Sequence, residues 1–269
     1  MNGRIPRVIK TNAIVLGHRR LGDADRIVTM VTPQQGKVDA VAKGALKPKS
    51  KLAGHVEPLT LTEVSLAHGR TLDIITQAQT QNAYLPIKSD LQKMSTAFYL
   101  LELTNRFLLE DVDARQIFEL LDISLIRLSH SNNSQFVTRT FEFSLLQIIG
   151  VKPELMKCVI TGKNVDAEKA YWSATQGGVV HIDSSGKAFD ARPLASRAIR
   201  VLRAIEFLSF EEICRIKIDP QLSVVLEDIM FEFIKVQSEL VIKSSSFIGD
   251  TRRVMTSPSS ELNNNSLDG

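Results

Sequence analysis

Residues 24 to 44, ADRIVTMVTPQQGKVDAVAKG, contain two short segments rich in Val, Ile, Thr and Ala that are separated by PQQG. Partial alternation of apolar and polar residues is typical of β-strands, and Pro with Gly favours a turn. Three similar segments surround this pair: RVIKTNAIVLGH before it, then EPLTLTEVSLA and RTLDIITQAQT. Five strands without a crossover helix predict a small closed sheet. An OB-fold barrel is the economical interpretation, and an SH3-like barrel leaves the same pattern.

The hydrophobic period becomes helical after Tyr84. Apolar stripes and capping signals predict helices at 89 to 108 with Ser89 as N-cap, 113 to 128, 134 to 150, 193 to 209, and from the Asp219-Pro220 pair to about Ser244. Between them, YWSAT and VVHID flank QGG and predict a β-hairpin turned by Gly177 and Gly178.

The predicted fold is therefore α+β, with a small β-barrel followed by a helical domain. We assign residues 1–83 to the OB-fold barrel and residues 84–254 to the helical domain, with the hairpin insert at about 157–190. The polar ending at 255–269, MTSPSSELNNNSLDG, predicts a disordered tail.

Charge is distributed unevenly along the chain. Residues 1–85 contain twelve Lys or Arg and six Asp or Glu, a net charge of +6, whereas the remainder contains twenty-one and twenty-four, a net charge of −3. Such asymmetry indicates that one end of the protein meets a polyanion. Nucleic acid is the obvious candidate.

Several functional classes leave no trace in this sequence. It has no apolar run long enough to span a membrane and no signal peptide, so a cytoplasmic protein without membrane association is expected. Nucleotide-binding glycine loops, HExxH and GxSxG motifs are absent, and the five histidines lack metal spacing. We therefore expect no catalytic site, no cofactor and no small-molecule substrate.

The first third of the chain contains GDADRIVT, the GK at 36 to 37, AKGA, KSKLAGHVEP and GRTLDIITQA. In this combination it resembles the bacterial RecO family of recombination mediators. Weaker similarity continues through YLLEL, ELMKC, YWSATQGGVV and PLASRAIRVLRAIE, in the same order. The resemblance therefore extends over most of the chain.

This resemblance implies an N-terminal OB-fold and a helical domain that often contains a zinc-binding insert. It also implies a nucleoid-associated protein that binds single- and double-stranded DNA, anneals complementary strands without nucleotide hydrolysis, and cooperates with RecR. A further implied partner is the single-strand-binding protein SSB. Two other interpretations stay open: a protein-interaction scaffold with a vestigial barrel, and an OB-fold protein that binds RNA.

One departure from the family pattern concerns the metal. Members with zinc usually show two CxxC pairs, and the corresponding positions here run from Cys158 to Thr161 and from His181 to Ser184. Only Cys158 and His181 are normal zinc ligands, and a structural site needs four. We therefore predict a degenerate, zinc-ribbon-like hairpin without metal, held by packing around Tyr171 and Trp172.

Residues 37–55, KVDAVAKGALKPKSKLAGH, contain five lysines and the single acid Asp39. Pro48 favours an extended conformation at Lys47, which would place alternate lysines along one edge. No aromatic residue precedes Tyr84, so the barrel cannot stack bases on rings and should hold phosphates instead. The candidate DNA-binding residues are Arg19, Arg20, Arg26, Lys37, Lys43, Lys47, Lys49, Lys51 and Arg70.

Each candidate also has an alternative role. In that interpretation Arg19, Arg20 and Arg26 solvate strand ends or pair with Asp23 and Asp25, and Arg70 is only a turn residue. For the acidic, apolar tail of SSB, the sequence suggests a basic groove between helices. The loose candidates for this groove are Arg127, Arg139, Arg197, Arg200 and Arg203.

Overall fold

The computed structural model describes residues 8–110, 112–131 and 133–255, with side chains up to residue 239. Apart from residue 255, the predicted disordered tail at 255–269 lies outside the described residues. Within these ranges, no helix is both long enough and apolar enough to cross a membrane.

The N-terminal unit is a five-stranded barrel. Its strands are β1 (Val8–Leu21), β2 (Asp25–Thr32), β3 (Gly36–Ala42), β4 (Leu61–Ala67) and β5 (Asp73–Asn82). They follow the order β1-β2-β3-β5-β4, and β4 pairs back with β1. All pairings are antiparallel except that of β3 with β5, which consists of two residue pairs. This Greek-key order and the short β3–β5 pairing form the partly open barrel of an OB-fold, so the predicted fold is confirmed.

Small aliphatic side chains fill the barrel. In β2, Val28 and Met30 alternate with outward-facing residues and are fully buried, as the two-residue period of a strand requires. The remaining interior residues are Ala13, Val15, Ala40, Ala42, Ala45, Val56, Val64, Leu66 and Ile75. The barrel interior therefore contains no aromatic ring.

The C-terminal unit is mainly helical. Its helices are α1 (Leu85–Lys88), α2 (Leu91–Phe107), α3 (Arg115–His130), α4 (Ser134–Ile148), α5 (Ser196–Phe207), α6 (Phe210–Ile213) and α7 (Pro220–Met255). The predicted start of α7 is confirmed, because the Asp219 side chain accepts a hydrogen bond from the Leu222 N–H at 2.8 Å.

Two predicted helix ends are wrong. The N-cap of α2 is Asp90, whose carboxylate accepts from Gln92 N–H at 2.9 Å, whereas Ser89 follows the end of α1. A carboxylate at this position also interacts favourably with the helix dipole. Helix α7 continues past Ser244 to residue 255, because no proline interrupts the chain before residue 258.

The two units share hydrogen bonds and a core. The Lys37 N–H of β3 donates to the Leu109 carbonyl at 3.1 Å, and the Ala114 N–H donates to the Pro33 carbonyl at 2.9 Å. Tyr84, at the junction, is buried. Residues of β1 and β2 also belong to the same apolar cluster as the helices, so the barrel packs against the helical unit through β1, β2 and the β2–β3 turn.

The insert contains the predicted hairpin, formed by β6 (Ala170–Ser173) and β7 (Gly178–His181), with a short third strand, β8 (Arg192–Pro193). Tyr171 pairs with Val180 in this antiparallel ladder. Trp172 is 1% exposed, and its ring centroid lies 5.8 Å from that of Phe233 in α7. Packing of Trp172 therefore attaches the insert to the last helix.

Candidate nucleic-acid interface

The lysine loop, residues 43–51, follows β3 and consists of tight turns. The Lys47 N–H donates to the Gly44 carbonyl at 3.1 Å, and the Ser50 N–H donates to the Lys47 carbonyl at 3.0 Å. Pro48 is the second residue of the turn from Lys47 to Ser50, a position that suits its fixed φ. The predicted extended alignment of Lys47, Lys49 and Lys51 is therefore wrong, because the chain turns between Lys47 and Ser50 instead of continuing as an extended strand.

Charge in the lysine loop is unopposed. Lys43, Lys47, Lys49 and Lys51 are exposed, and none makes an ion pair with any described residue. Asp39, the single acid in the stretch, instead accepts from Thr29 Oγ1 at 2.6 Å and pairs with an arginine of β1. The loop thus presents four free ammonium groups to solvent.

Strand register brings three loops together at the end of β3. Arg20 of β1 pairs with Arg26 of β2, which pairs with Ala42 of β3. On the other side, Val41 pairs with Ile74, directly after the β4–β5 turn. The lysine loop therefore starts between the β1–β2 and β4–β5 turns, the two loops by which OB-folds commonly bind oligonucleotides.

Of the two other candidate residues, Arg70 lies near the lysine loop and Lys37 does not. Arg70 lies in the β4–β5 turn, is exposed, and makes no ion pair with the described residues. The turn is tight at Gly69, where a Cβ atom would clash with the Leu72 carbonyl oxygen. Lys37 is half-buried at the opposite end of β3, so the register separates it from the lysine loop and Arg70.

The three arginines already have protein partners. Arg19 Nη2 lies 2.9 Å from Asp39 Oδ2, and Arg20 Nη2 lies 3.6 Å from Asp23 Oδ1. Arg26 donates to Glu57 Oε1 at 2.6 Å. The alternative role predicted for them therefore holds for Arg20, whereas Arg19 and Arg26 use acids far along the chain.

Glu57 also pairs with His18, at 3.3 Å between Oε2 and Nε2. Burial raises the pKa of the Glu57 carboxyl, but hydrogen bonds from Arg26 and His18 and their charge outweigh it, so the pKa falls below its usual value. Asp25, the other predicted partner of the arginines, accepts instead from the Gly44 N–H at 2.7 Å. This hydrogen bond fixes the start of the lysine loop.

The insert does not present a complete zinc site. Cys158 Sγ accepts from the His181 N–H at 3.3 Å, and His181 Nδ1 accepts from the Asp183 N–H at 3.2 Å. In the described part of the chain, no three His, Cys, Asp or Glu side chains form a group that could hold a metal. The residues present therefore do not fit the four-ligand site of the family, and absence of metal stays a prediction.

Several hydrogen-bond donors surround the Cys158 thiol. Burial raises its pKa, but hydrogen bonds from the His181, Ile160 and Thr161 N–H groups and the Thr161 hydroxyl outweigh burial and bring the pKa to about 7. Hydrogen bonds, mostly from backbone N–H groups, thus hold the Cys158 sulfur in position in the hairpin.

All five arginines suggested for the helical groove are engaged within the chain. Arg127 lies over the Phe210 ring at 4.2 Å, Arg139 pairs with Glu142, Arg197 with Asp219, Arg200 with Glu168, and Arg203 donates to the Leu155 carbonyl. They do not form the free basic groove that the sequence suggested.

A groove of about 390 Å³ nevertheless lies between α2, α4 and α7. Phe231 is 60% exposed at its edge, and Arg139 lines it beside the fully buried Glu142. Tyr99 donates to Glu142 Oε1 at 2.6 Å, whereas Arg139 Nη1 lies 2.8 Å from Oε2 without hydrogen-bond alignment. Burial and, less strongly, the charge of Glu227 raise the pKa of Glu142 to about 7 against the opposing effects of Arg139 and Tyr99.

Two shallow depressions on the barrel were not predicted. They have volumes of about 460 and 520 Å³ and share Lys10 and Glu63. The first is lined by Gln77 and Gln79 and reaches Lys51 of the lysine loop. The available sequence signal was the alternation in QAQTQ at residues 77 to 81, which places amides on one face of β5.

Two family models together match most of the chain. Recombination protein O N terminal matches residues 7–84, and recombination protein O C terminal matches residues 88–246. The DNA repair protein RecO of Dehalococcoides mccartyi strain CBDB1 is 37% identical over 222 residues, covering 82% of this chain and 87% of that relative. The DNA repair protein RecO of Roseiflexus sp. strain RS-1 is 30% identical over 253 residues, covering 94% of this chain and 89% of that relative.

Proposed function

The chain belongs to the recombination protein O family, and from this membership we propose that it acts in DNA repair and recombination. It binds single- and double-stranded DNA and anneals complementary strands without ATP and without a catalytic centre. The observation that carries this proposal is the lysine loop, which starts between the two oligonucleotide-binding turns of an OB-fold and holds four lysines that form no ion pair with the described residues.

The chemistry of this surface favours phosphates over bases. Lysines neutralise phosphate charge and release condensed counterions, so binding tolerates any sequence and weakens steeply as salt rises. Stacking on aromatic rings, worth about 1–3 kcal/mol per base by substitution, is not available within the barrel. Base edges therefore remain exchangeable and can find a complementary strand.

With RecR, the protein is proposed to help load recombinase onto DNA coated by SSB. The α2/α4/α7 groove supports an SSB contact, because an acidic, apolar tail suits the exposed Phe231 ring beside Arg139. Arg139 is 9% exposed and already lies 2.8 Å from Glu142 Oε2, so the exposed Phe231 ring carries this proposed contact. Loss of SSB-tail binding in Phe231→Ala, measured by fluorescence anisotropy, tests this contact.

Annealing of labelled complementary oligonucleotides by the full chain, without nucleotide and with or without SSB, tests the main proposal. Faster annealing than the spontaneous reaction, also on SSB-coated strands, is expected. No DNA binding at low salt would overturn it in favour of a protein-interaction scaffold. Clear preference for RNA would indicate contacts to 2′-hydroxyls and an RNA-binding role.

A further inference from the structure

The outer face of β1, β4 and β5 forms a polar ladder that reaches the lysine loop at Lys51. Lys10 pairs with Ser65, which pairs with Gln77, and the next row runs from Asn12 through Glu63 to Gln79. We call this surface the amide trough. Its members are Lys10, Asn12, Lys51, Glu63, Ser65, Gln77 and Gln79.

Apart from Lys51, the trough has no net charge, and it is rich in hydrogen-bonding groups. Lys10 Nζ lies 2.7 Å from Glu63 Oε1, so these two charges offset each other. Gln77 and Gln79 are exposed, and their carboxamides take part in no hydrogen bond with the described residues, whereas the nearby Thr76 hydroxyl donates to the Ser65 carbonyl. Each free carboxamide offers both donors and an acceptor.

Lys51 connects the trough to the lysine loop. Lys51 belongs to the loop and also lines the first depression, together with Gln77 and Gln79 of β5. A nucleic acid whose phosphates contact the loop lysines would therefore extend its bases toward Gln77 and Gln79. Each base has donor or acceptor groups on its edge, and an amide can hydrogen-bond to any of them without selecting a sequence.

We propose that the amide trough binds the unpaired base edges of a single DNA strand whose phosphates lie on the lysine loop. This inference rests on the proposed function and adds a preference to it. In a duplex the pairing edges are already hydrogen-bonded to each other, so only the phosphate contacts remain. The trough thus retains single strands and weakens its hold once they have annealed.

The test compares full-length wild type with the double variant Gln77→Leu/Gln79→Leu, which keeps side-chain size and removes the amides. Gln81→Leu is the matched control, because Gln81 is exposed on the same strand but lies outside the trough. Three probes of equal length are used: oligothymidylate, an abasic strand and a duplex. The abasic strand keeps the phosphates and removes every base edge.

The double variant should bind oligothymidylate about tenfold more weakly, as expected for the loss of two net hydrogen bonds. Affinities for the abasic strand and the duplex should stay unchanged, and so should the salt slope, because no charge is removed. Wild type should bind oligothymidylate more tightly than the abasic strand, and the double variant should remove this difference. Thermal unfolding and circular dichroism check that the variants are folded.

Unchanged oligothymidylate affinity would overturn the inference, as would an equal loss on all three probes. Photocrosslinking of wild type to 4-thiothymidine strands provides a second measurement that needs no variant. Crosslinks in the β5 peptide support the inference, and crosslinks confined to the lysine loop contradict it. Failure of wild type to bind any DNA would instead reject the proposed function itself.

Discussion

Arg19 of β1 reaches across the sheet to Asp39 of β3, with 2.9 Å between Nη2 and Oδ2. This ion pair removes the single acid of the lysine-rich stretch from competition for the lysines. Because Asp39 also accepts from the Thr29 hydroxyl, its carboxylate is held on the sheet. The lysine loop therefore keeps its full positive charge for a polyanion, and Arg19 contributes indirectly.

Replacing Lys47, Lys49 and Lys51 by Gln should reduce the salt dependence of single-strand binding. If each lysine makes one phosphate contact, the slope of log K against log salt falls by up to about 2, at about 0.7 per contact. Titrations by fluorescence anisotropy at several salt concentrations measure this slope. An unchanged slope would remove these lysines from the interface.

The matched control for that variant is Lys157→Gln/Lys163→Gln/Lys169→Gln. These insert lysines are also exposed and form no ion pair with the described residues, so the change in net charge is the same. Their replacement should leave the salt slope close to that of wild type. An equal decrease would show that net charge, not the position of the loop, determines binding.

Gly36→Ala should destabilise the protein at the junction of its two units. Gly36 has φ of +65°, and an added Cβ would lie 2.6 Å from the Leu109 carbonyl oxygen, which also accepts the Lys37 N–H. Strain and overlap together should lower the free energy of unfolding by about 2–4 kcal/mol. Urea unfolding followed by fluorescence of Trp172, which lies in the other unit, measures the loss.

Gly22→Ala separates backbone strain from steric overlap. Gly22 has a similar φ of +59° with no atom within 4 Å of an added Cβ. It should therefore cost only about 1 kcal/mol, the usual penalty for alanine in the left-handed region. Equal losses in the two variants would show that contact with the helical unit does not restrict Gly36.

Local patterns predicted the elements that depend on neighbours in sequence. The strand alternation, the hairpin at Gly177 and the Asp219 cap follow from nearby residues, and the structure has all three. The charge of the lysine loop could also be predicted, because charge depends only on composition. The turn conformation of the loop could not be predicted, since the residue before a proline can either continue a strand or begin a turn, as Lys47 does here.

Contacts between residues that lie far apart in the sequence could not be predicted from it. Arg26 and Glu57 are 31 residues apart and meet only because the β3–β4 connection folds over the end of β2. The amides of β5 become a surface feature only when β4 places them beside β1. The burial of Glu142 likewise depends on how α2, α4 and α7 pack.

Glu142 should make stability depend on pH. Its pKa is about 7 in the folded state, above the usual value of 4.5, so between these values the native state binds a proton that the unfolded state lacks. The stabilising contribution is complete below about pH 4.5 and is lost as pH rises through 7. Between pH 5 and 8, the free energy of unfolding should therefore fall, by on the order of 1–3 kcal/mol.

Glu142→Gln should flatten this part of the pH profile, measured by urea unfolding at each pH. Arg139, Tyr99 and Glu227 face the carboxyl and remain in the variant. Glu211→Gln, on the exposed start of α6, controls for the change of one acid to an amide. A variant with the same pH slope as wild type would show that Glu142 is not the titrating group.

Purified protein should contain no stoichiometric zinc, and a chelator should leave its unfolding midpoint unchanged. The hairpin is attached through Trp172, which is buried against α7, and Cys158 is held by backbone N–H donors. Thr161→Cys/Ser184→Cys restores a Cys₃His ligand set and is the positive control, in which zinc uptake should raise the midpoint. Metal content by plasma mass spectrometry and thermal unfolding with chelator measure both proteins. One zinc per wild-type chain, with loss of stability on chelation, would contradict the prediction and assign the two ligands missing from the sequence pattern to residues elsewhere in the chain.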